Sequence, residues 1–161
     1  MIIDIYKHYV FDYLDLLSQI RLLATCWEFR NELYITDMYN IDDKYKERLT
    51  QLIINRYINL EKLNASSNPK ITNVNHLVKL EILDAKYDCG ITDAGIVNCT
   101  NLELLNASYN QKITNVNHLI KLENLNAAYD CGINDSGIIN CINLKELLAY
   151  GNPKITKKLI K

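Results

Sequence analysis

Two adjacent stretches decide the fold: Leu60-Glu-Lys-Leu-Asn-Ala-Ser-Ser-Asn68 and Leu80-Glu-Ile-Leu-Asp-Ala-Lys-Tyr-Asp88. Each has Leu at positions one and four, Ala at position six and Asn or Asp at position nine, and an Ile follows at position twelve. The same opening recurs at Leu102, Leu122 and Leu144, so units of 20 and 22 residues alternate. A fixed period of this length is typical of repeat architectures, in which each unit buries its apolar residues against its neighbours.

The repetition is strongest over a pair of units. Residues 60–101 and 102–143 align without a gap and are identical at 31 of 42 positions, and residues 144–161 begin a third copy. Positions three to five predict a short strand in every unit, and successive strands predict one parallel sheet. All five glycines and both prolines lie in the turns between these strands. The expected fold class is therefore α/β, as a solenoid with a parallel inner sheet.

These units resemble leucine-rich repeats. The segment from Cys89 to Leu102, and its copy from Cys131 to Leu144, is similar to the cysteine-containing repeats of F-box proteins. Position six is Ala where that family usually has Leu, and the 20-residue units lack both cysteines. Their outer side is therefore expected to be a tight turn. The resemblance implies a leucine-rich-repeat domain over residues 60–161.

Residues 1–32 show helical periodicity and resemble an F-box, the motif that docks a substrate receptor onto a Skp1-type adaptor of a cullin ubiquitin ligase. The likeness is carried by Asp4-Ile5, Val10-Phe11, Tyr13-Leu14-Asp15-Leu16, Leu22-Leu23 and Cys26-Trp27-Glu28-Phe29. The usual opening Leu-Pro is absent, and Phe29 stands at the usual Trp position. The adaptor-binding residues that this resemblance implies are Ile5, Val10, Phe11, Leu14, Leu16, Leu22, Cys26 and Phe29. The alternative is a helical module that only caps the solenoid.

Residues 33–59 are expected to form an irregular entry repeat. Its first strand is predicted at Leu33-Tyr-Ile-Thr, and an amphipathic helix is predicted from Asp42 to Tyr57.

Composition excludes several classes of protein. The formal net charge is −1, which does not suit non-specific binding to nucleic acid or to an anionic membrane. The N-terminus is not a secretory signal and no apolar stretch is long enough to span a bilayer, so a cytoplasmic protein is expected. The 20 Asn and 21 Ile hint at an AT-rich genome. Together with the family likeness they suggest a large DNA virus, and hence the host cytoplasm.

Catalytic, metal-binding and cofactor-binding motifs are absent from the sequence, so a non-enzymatic protein without a cofactor is expected. His76 and His118 hold the same repeat position two units apart, too far for one metal ion. Cys89 and Cys131 are equivalent copies, as are Cys99 and Cys141, and are expected to pack as small apolar groups.

The expected partner-binding surface is the concave face of the sheet, where an acidic row and a tyrosine row suit a partner with basic and apolar groups. Its residues are Glu61, Glu81, Glu103, Glu123, Asp84, Tyr87, Tyr109, Tyr129 and Tyr150. Duplication alone could also have produced these rows. The chain is thus interpreted as a substrate-recruiting F-box subunit or, alternatively, a free-standing scaffold. A homodimer through the C-terminal edge is a further option.

Overall fold

A computed structural model describes Ser18, residues 35–41 and residues 43–156. The predicted F-box residues, from Ile5 to Phe29, lie outside the described residues, as does the strand segment Leu33-Tyr34. Within the described part, six strands form one parallel sheet in chain order. They are β1 (Asp37–Met38), β2 (Lys62–Asn64), β3 (Ile82–Asp84), β4 (Leu104–Asn106), β5 (Asn124–Asn126) and β6 (Glu146–Leu148).

Every strand from β2 to β6 occupies positions three to five of its unit, as the repeat predicted. The sheet is in register: Leu63 is paired with Leu83, Leu83 with Leu105, and so on to Leu147 at position four. Because side chains alternate along a strand, position four points to the core and positions three and five point away from it. The α/β class and the all-parallel sheet are therefore confirmed.

The core consists of the same columns in each unit. Positions one, four, six and twelve are fully buried in the unit that begins at Leu60, and the next two units repeat this pattern. Val74 and Leu77 complete the core on the outer side of a 20-residue unit, while Ile96 and Cys99 do so in a 22-residue unit. Each unit on its own would expose these residues, so burial depends on the neighbouring units.

Short helices replace turns on the outer side of some units. Helix α1 spans Asp43–Lys46, α2 spans Gln51–Ile54 and α3 spans Asp93–Ile96, and a 3-10 helix spans Asp135–Gly137. None of the described helices is long and apolar enough to cross a membrane.

The entry repeat differs from its prediction in two ways. Residues 35 and 36 are not in a strand, and β1 begins at Asp37. The single helix predicted from Asp42 to Tyr57 is wrong, because α1 and α2 are separate. Thr50 starts α2 as an N-cap in extended conformation, and its side chain accepts a hydrogen bond from the Ile53 amide. An extended residue at this point interrupts the helix.

Position nine plays two roles, according to unit length. In the 20-residue units the Asn is buried and bridges to the preceding unit: the Asn110 amide donates to the carbonyls of Ala85 (2.8 Å) and Ile91 (3.3 Å), and its oxygen accepts from the Lys112 amide. Asn68 and Asn152 repeat this pattern. In the 22-residue units, Asp88 and Asp130 are exposed, and the residue that follows each of them is a buried Cys.

Outer turns are also joined from unit to unit. The Asp93 carboxylate accepts hydrogen bonds from the amide and hydroxyl of Thr114 in the next unit, and Asp135 holds Thr156 in the same way 42 residues later. On the other side of the same turn, Gly95 permits a close approach to the preceding unit, because a Cβ there would lie 2.3 Å from the Thr72 carbonyl oxygen. A backbone contact of that kind cannot be relieved by a side-chain movement.

Replacing Asn110 with Ala is expected to lower the free energy of unfolding by at least about 2 kcal/mol. The change leaves buried carbonyl and amide groups without a partner, at about 1–3 kcal/mol per group. The matched control is Asp130→Ala, at the same repeat position but exposed, which should change stability by less than about 0.5 kcal/mol. Urea denaturation monitored by circular dichroism measures both. Equal effects of the two substitutions would contradict the two roles assigned to position nine.

Candidate interaction surface

The face of the sheet turned away from the core is left uncovered by the described residues. We call it the open face, and it consists of positions two, three, five, seven and eight of the units together with Asp37 and Tyr39. Three of its rows contain the residues predicted to bind a partner or lie between them: position two is mostly Glu, position five is mostly Asn, and position eight is mostly Tyr.

The position-five row is bonded within its own turns. The side-chain oxygens of Asn64, Asn106 and Asn126 each accept a hydrogen bond from the backbone amide two residues later. Asp84 does the same, is only 3% exposed, and lies 3.2 Å from the Lys86 ammonium group. Since these groups already have partners, the row forms a fixed floor. Asp84, predicted as a partner-binding residue, is placed in that floor.

The position-two row presents a carboxylate just before each of the strands β2 to β5. Glu81 and Glu103 are exposed, and Glu61 and Glu123 are half-buried. Glu123 is paired with Lys145 at 2.7 Å. No described cation lies within ion-pair distance of the other three glutamates. They lie on adjacent strands, which are about 4.8 Å apart, and like charges at this spacing repel one another.

The position-eight row is a stack of tyrosine rings. The centroids of Tyr87 and Tyr109 are 5.2 Å apart, and those of Tyr109 and Tyr129 are 4.3 Å apart, with interplanar angles of 24° and 13°. Tyr150, at position seven of the last unit, meets Tyr129 edge-on at 5.7 Å and 82°. All four predicted tyrosines are therefore brought together in one row.

The stack rests on an unusual backbone conformation. Position eight has positive φ in five successive units, with φ of 56° at Ser67, 59° at Tyr87, 60° at Tyr109 and 59° at Tyr129. The fifth member, Gly151, has φ of 69°. A non-glycine residue in the left-handed region costs about 1–2 kcal/mol, and ring stacking returns about 0.5–1.5 kcal/mol per pair. The tyrosine contacts thus offset much of the strain that the turn imposes.

Backbone hydrogen bonds fix the direction of this column. The amide at position eight donates to the position-seven carbonyl of the next unit: Tyr87 to Ser108 at 3.0 Å, Tyr109 to Ala128 at 3.2 Å and Tyr129 to Tyr150 at 2.8 Å. The rings are therefore carried by backbone that is itself tied across units. Little side-chain freedom remains to be lost when a partner binds, which favours recognition.

Two tyrosines of the open face have raised pKa values. Desolvation raises the pKa of Tyr109 above its ordinary value, and the neighbouring Tyr129 phenol raises it further. Desolvation also raises the pKa of Tyr39, with the Asp84 carboxylate as a second cause. Both phenols therefore stay protonated at neutral pH and can donate hydrogen bonds.

Sequence reasoning missed Tyr39. It follows β1 at the place corresponding to position five, in register with the Asn row of the open face. No repeat signal marks this residue, because the entry repeat has no copy elsewhere in the chain.

The cysteines and histidines of the described segments contact their neighbours within the fold. Cys89, Cys99, Cys131 and Cys141 are buried free thiols, and the Cys99 thiol contacts the Val74 carbonyl at 3.4 Å. The predicted packing role is confirmed for these four. His76 and His118 each contact a carbonyl of the preceding unit through Nε2, at 3.2 and 3.0 Å. The described residues contain no cluster of three or more metal-ligating side chains.

No protein-family model matches the chain, and no curated protein matches it significantly.

The central ring of the stack tests its energetics. Tyr109→Ala should lower the free energy of unfolding by about 1–3 kcal/mol, because it removes two stacking contacts. Tyr109→Gly should be about 1 kcal/mol more stable than Tyr109→Ala, because glycine accepts positive φ without strain. The control is Leu52 in α2, where Gly should be about 1 kcal/mol less stable than Ala. Urea denaturation measures the stability of the four variants. If the Gly variant is less stable than the Ala variant at residue 109 as well as at residue 52, the strain argument is contradicted.

Thiol chemistry tests the core. Burial raises the pKa of Cys89 and Cys141 to about 11 and that of Cys99 to about 12. In a Cys26→Ser variant, an aromatic disulfide reagent at pH 8 should label these thiols only after unfolding. As pH rises above about 8.5, the unfolded chain loses thiol protons that the folded chain keeps. Stability should therefore fall toward pH 11, and by less in Cys99→Ala. Rapid labelling of the folded chain would contradict the placement.

Proposed function

We propose that the chain is a leucine-rich-repeat solenoid that acts as a non-enzymatic protein-interaction subunit. The single observation that carries this proposal is the uncovered open face with its rigid row of stacked tyrosines. In-register strands, alternating 20- and 22-residue units and a core built by contacts between units support the solenoid assignment. Exposed aromatic side chains on a preorganised sheet face are a favourable surface for a protein partner.

Within this proposal, residues 1–32 bind a Skp1-type adaptor and the open face, which would be the concave face of the solenoid, holds a target for ubiquitin transfer by other subunits. The F-box likeness of the sequence from Asp4 to Phe29 supports the adaptor assignment. The alternative is a scaffold in which these residues only cap the first unit.

A homodimer through the last unit is a further option. There Leu148 and Tyr150 are 50% and 78% exposed, and Leu144 and Leu147 are less buried than their counterparts in the inner units.

Size-exclusion chromatography with a purified Skp1-type adaptor tests the adaptor assignment. The wild-type chain should co-elute with the adaptor at micromolar concentration, and Leu14→Asp should not, because a charge at the centre of the motif cannot be buried in an apolar interface. Leu52→Asp is the control. Its side chain is 67% exposed on α2, so this variant should bind like the wild type. A wild-type chain that elutes alone, or a Leu14→Asp variant that still co-elutes, would support the cap instead.

A further inference from the structure

The tyrosine stack is closed at one end and open at the other. At the closed end, the edge of the Tyr150 ring covers Tyr129. At the open end, the free face of Tyr87 is turned toward the unit that begins at Leu60, where position eight is Ser67. Tyr87 is accordingly 47% exposed, against 40% for both Tyr109 and Tyr129. None of the described rings stacks on this face.

The backbone at the open end has the geometry that carries a ring elsewhere. Ser67 has φ of 56°, close to the 59° of Tyr87, and its amide donates to the Lys86 carbonyl at 3.1 Å in the pattern of the tyrosine units. Ser67 has this backbone geometry but carries no aromatic ring. Ser67 is exposed, and a further ring that continued the stack at the 5.2 Å step of Tyr87 and Tyr109 would lie above it. We call this space the stack-end site.

Two cations border the stack-end site. The Lys86 ammonium lies over the Tyr87 ring, 5.7 Å from its centroid, and is held there by Asp84. The Lys46 ammonium lies 3.3 Å from the hydroxyl of Ser66. A guanidinium group in this space would compete with the Lys86 ammonium for the face of the Tyr87 ring. An aromatic ring would stack on Tyr87 and receive a cation–π contact, so the site favours an aromatic side chain.

The rest of the open face is acidic. Its three lysines, Lys62, Lys86 and Lys145, are each paired with a carboxylate, those of Asp37, Asp84 and Glu123. Further carboxylates on this face or at its rim have no described cation within ion-pair distance: Glu61, Glu81, Glu103, Glu146, Asp88 and Asp130. By contrast, Lys70, Lys112 and Lys154 on the outer turns donate to backbone carbonyls. Among the described residues, carboxylates without a paired cation therefore gather on the open face, while these three lysines lie on the outer turns.

We propose that the open face binds an extended segment of a partner protein in which one aromatic side chain is flanked by basic residues. The aromatic ring occupies the stack-end site and continues the tyrosine stack over Ser67. The flanking basic residues pair with the unpaired carboxylates, foremost those of Glu81 and Glu103. This inference rests on the proposed role as an interaction subunit and names the chemistry of the partner for that surface.

Fluorescence anisotropy with labelled nine-residue peptides tests the proposal. The probe has a central tryptophan and four lysines separated by serines. Its two counterparts carry alanine in place of tryptophan, or glutamate in place of lysine. The wild-type chain at low salt should bind the tryptophan peptide at least tenfold more tightly than the alanine peptide, and should not bind the glutamate peptide. Raising the salt concentration should weaken both lysine peptides.

Ser67→Tyr is the decisive variant. The chain's own ring should fill the stack-end site without misfolding, because Tyr already occupies this backbone conformation in three units. The tenfold preference for tryptophan should disappear, while binding of the alanine peptide remains. The matched control is Ser67→Gly, which leaves the site open and should keep the preference. The pair Glu81→Gln and Glu103→Gln should weaken both lysine peptides several-fold and leave the preference for tryptophan.

Several outcomes would overturn the proposal. They are equal binding of the tryptophan and alanine peptides by the wild-type chain, a preference that survives Ser67→Tyr, and no binding of either lysine peptide at millimolar concentration. Self-association of the wild-type chain that Ser67→Tyr abolishes would also overturn it, since a second copy would then occupy the site.

The adaptor experiment fails or succeeds independently of the peptide experiment. Ser67→Tyr should still co-elute with the adaptor, and Leu14→Asp should still prefer the tryptophan peptide. A chain that discriminates the peptides but does not bind the adaptor would refute the ubiquitin-ligase role alone.

Discussion

The contact between neighbouring units in register is the constraint on which the rest of the structure depends. Leucines at position four are paired from each strand to the next. Buried polar side chains such as Asn110 form their hydrogen bonds with residues of the neighbouring unit, 19 to 25 residues away in the sequence. Among the described residues, no buried side-chain nitrogen or oxygen lacks a partner. A unit is therefore stable only where the next unit offers the matching carbonyl, amide and apolar surface.

The sequence was most informative where a contact is copied. Strand positions and core columns from Leu60 onward follow from the period, because each copy confirms the others. Prediction was poorest where the chain has no copy: β1 begins after the expected strand, Thr50 divides the expected helix, and Tyr39 was overlooked. The difference between buried Asn110 and exposed Asp130 was also missed, since both residue types suit a turn. The F-box likeness lies outside the described residues and stays a prediction.

The two sides of the sheet differ in what they contribute to the stability of the molecule. Core side chains and outer turns provide the contacts that hold successive units together. On the open face, position five is saturated with hydrogen bonds to its own turns, and the unpaired carboxylates contribute repulsion rather than cohesion. The left-handed backbone at position eight is strained in Tyr87, Tyr109 and Tyr129. Strain and unpaired charge of this kind are typical of surfaces that serve recognition.

Alternation of unit lengths determines how such a chain can grow. A 22-residue unit contacts a 20-residue unit on either side by different means: Gly90 lies under the Pro69 carbonyl on one side, and Lys112 reaches the Cys89 carbonyl from the other. Recombination that inserts or deletes 42 residues preserves both junctions. A single inserted unit would instead place two units of the same length side by side, a junction that does not occur between the units from Leu60 to Asn143. Duplication is therefore expected to copy one 20-residue unit together with one 22-residue unit. Homologous proteins of different length should then differ by whole pairs of units.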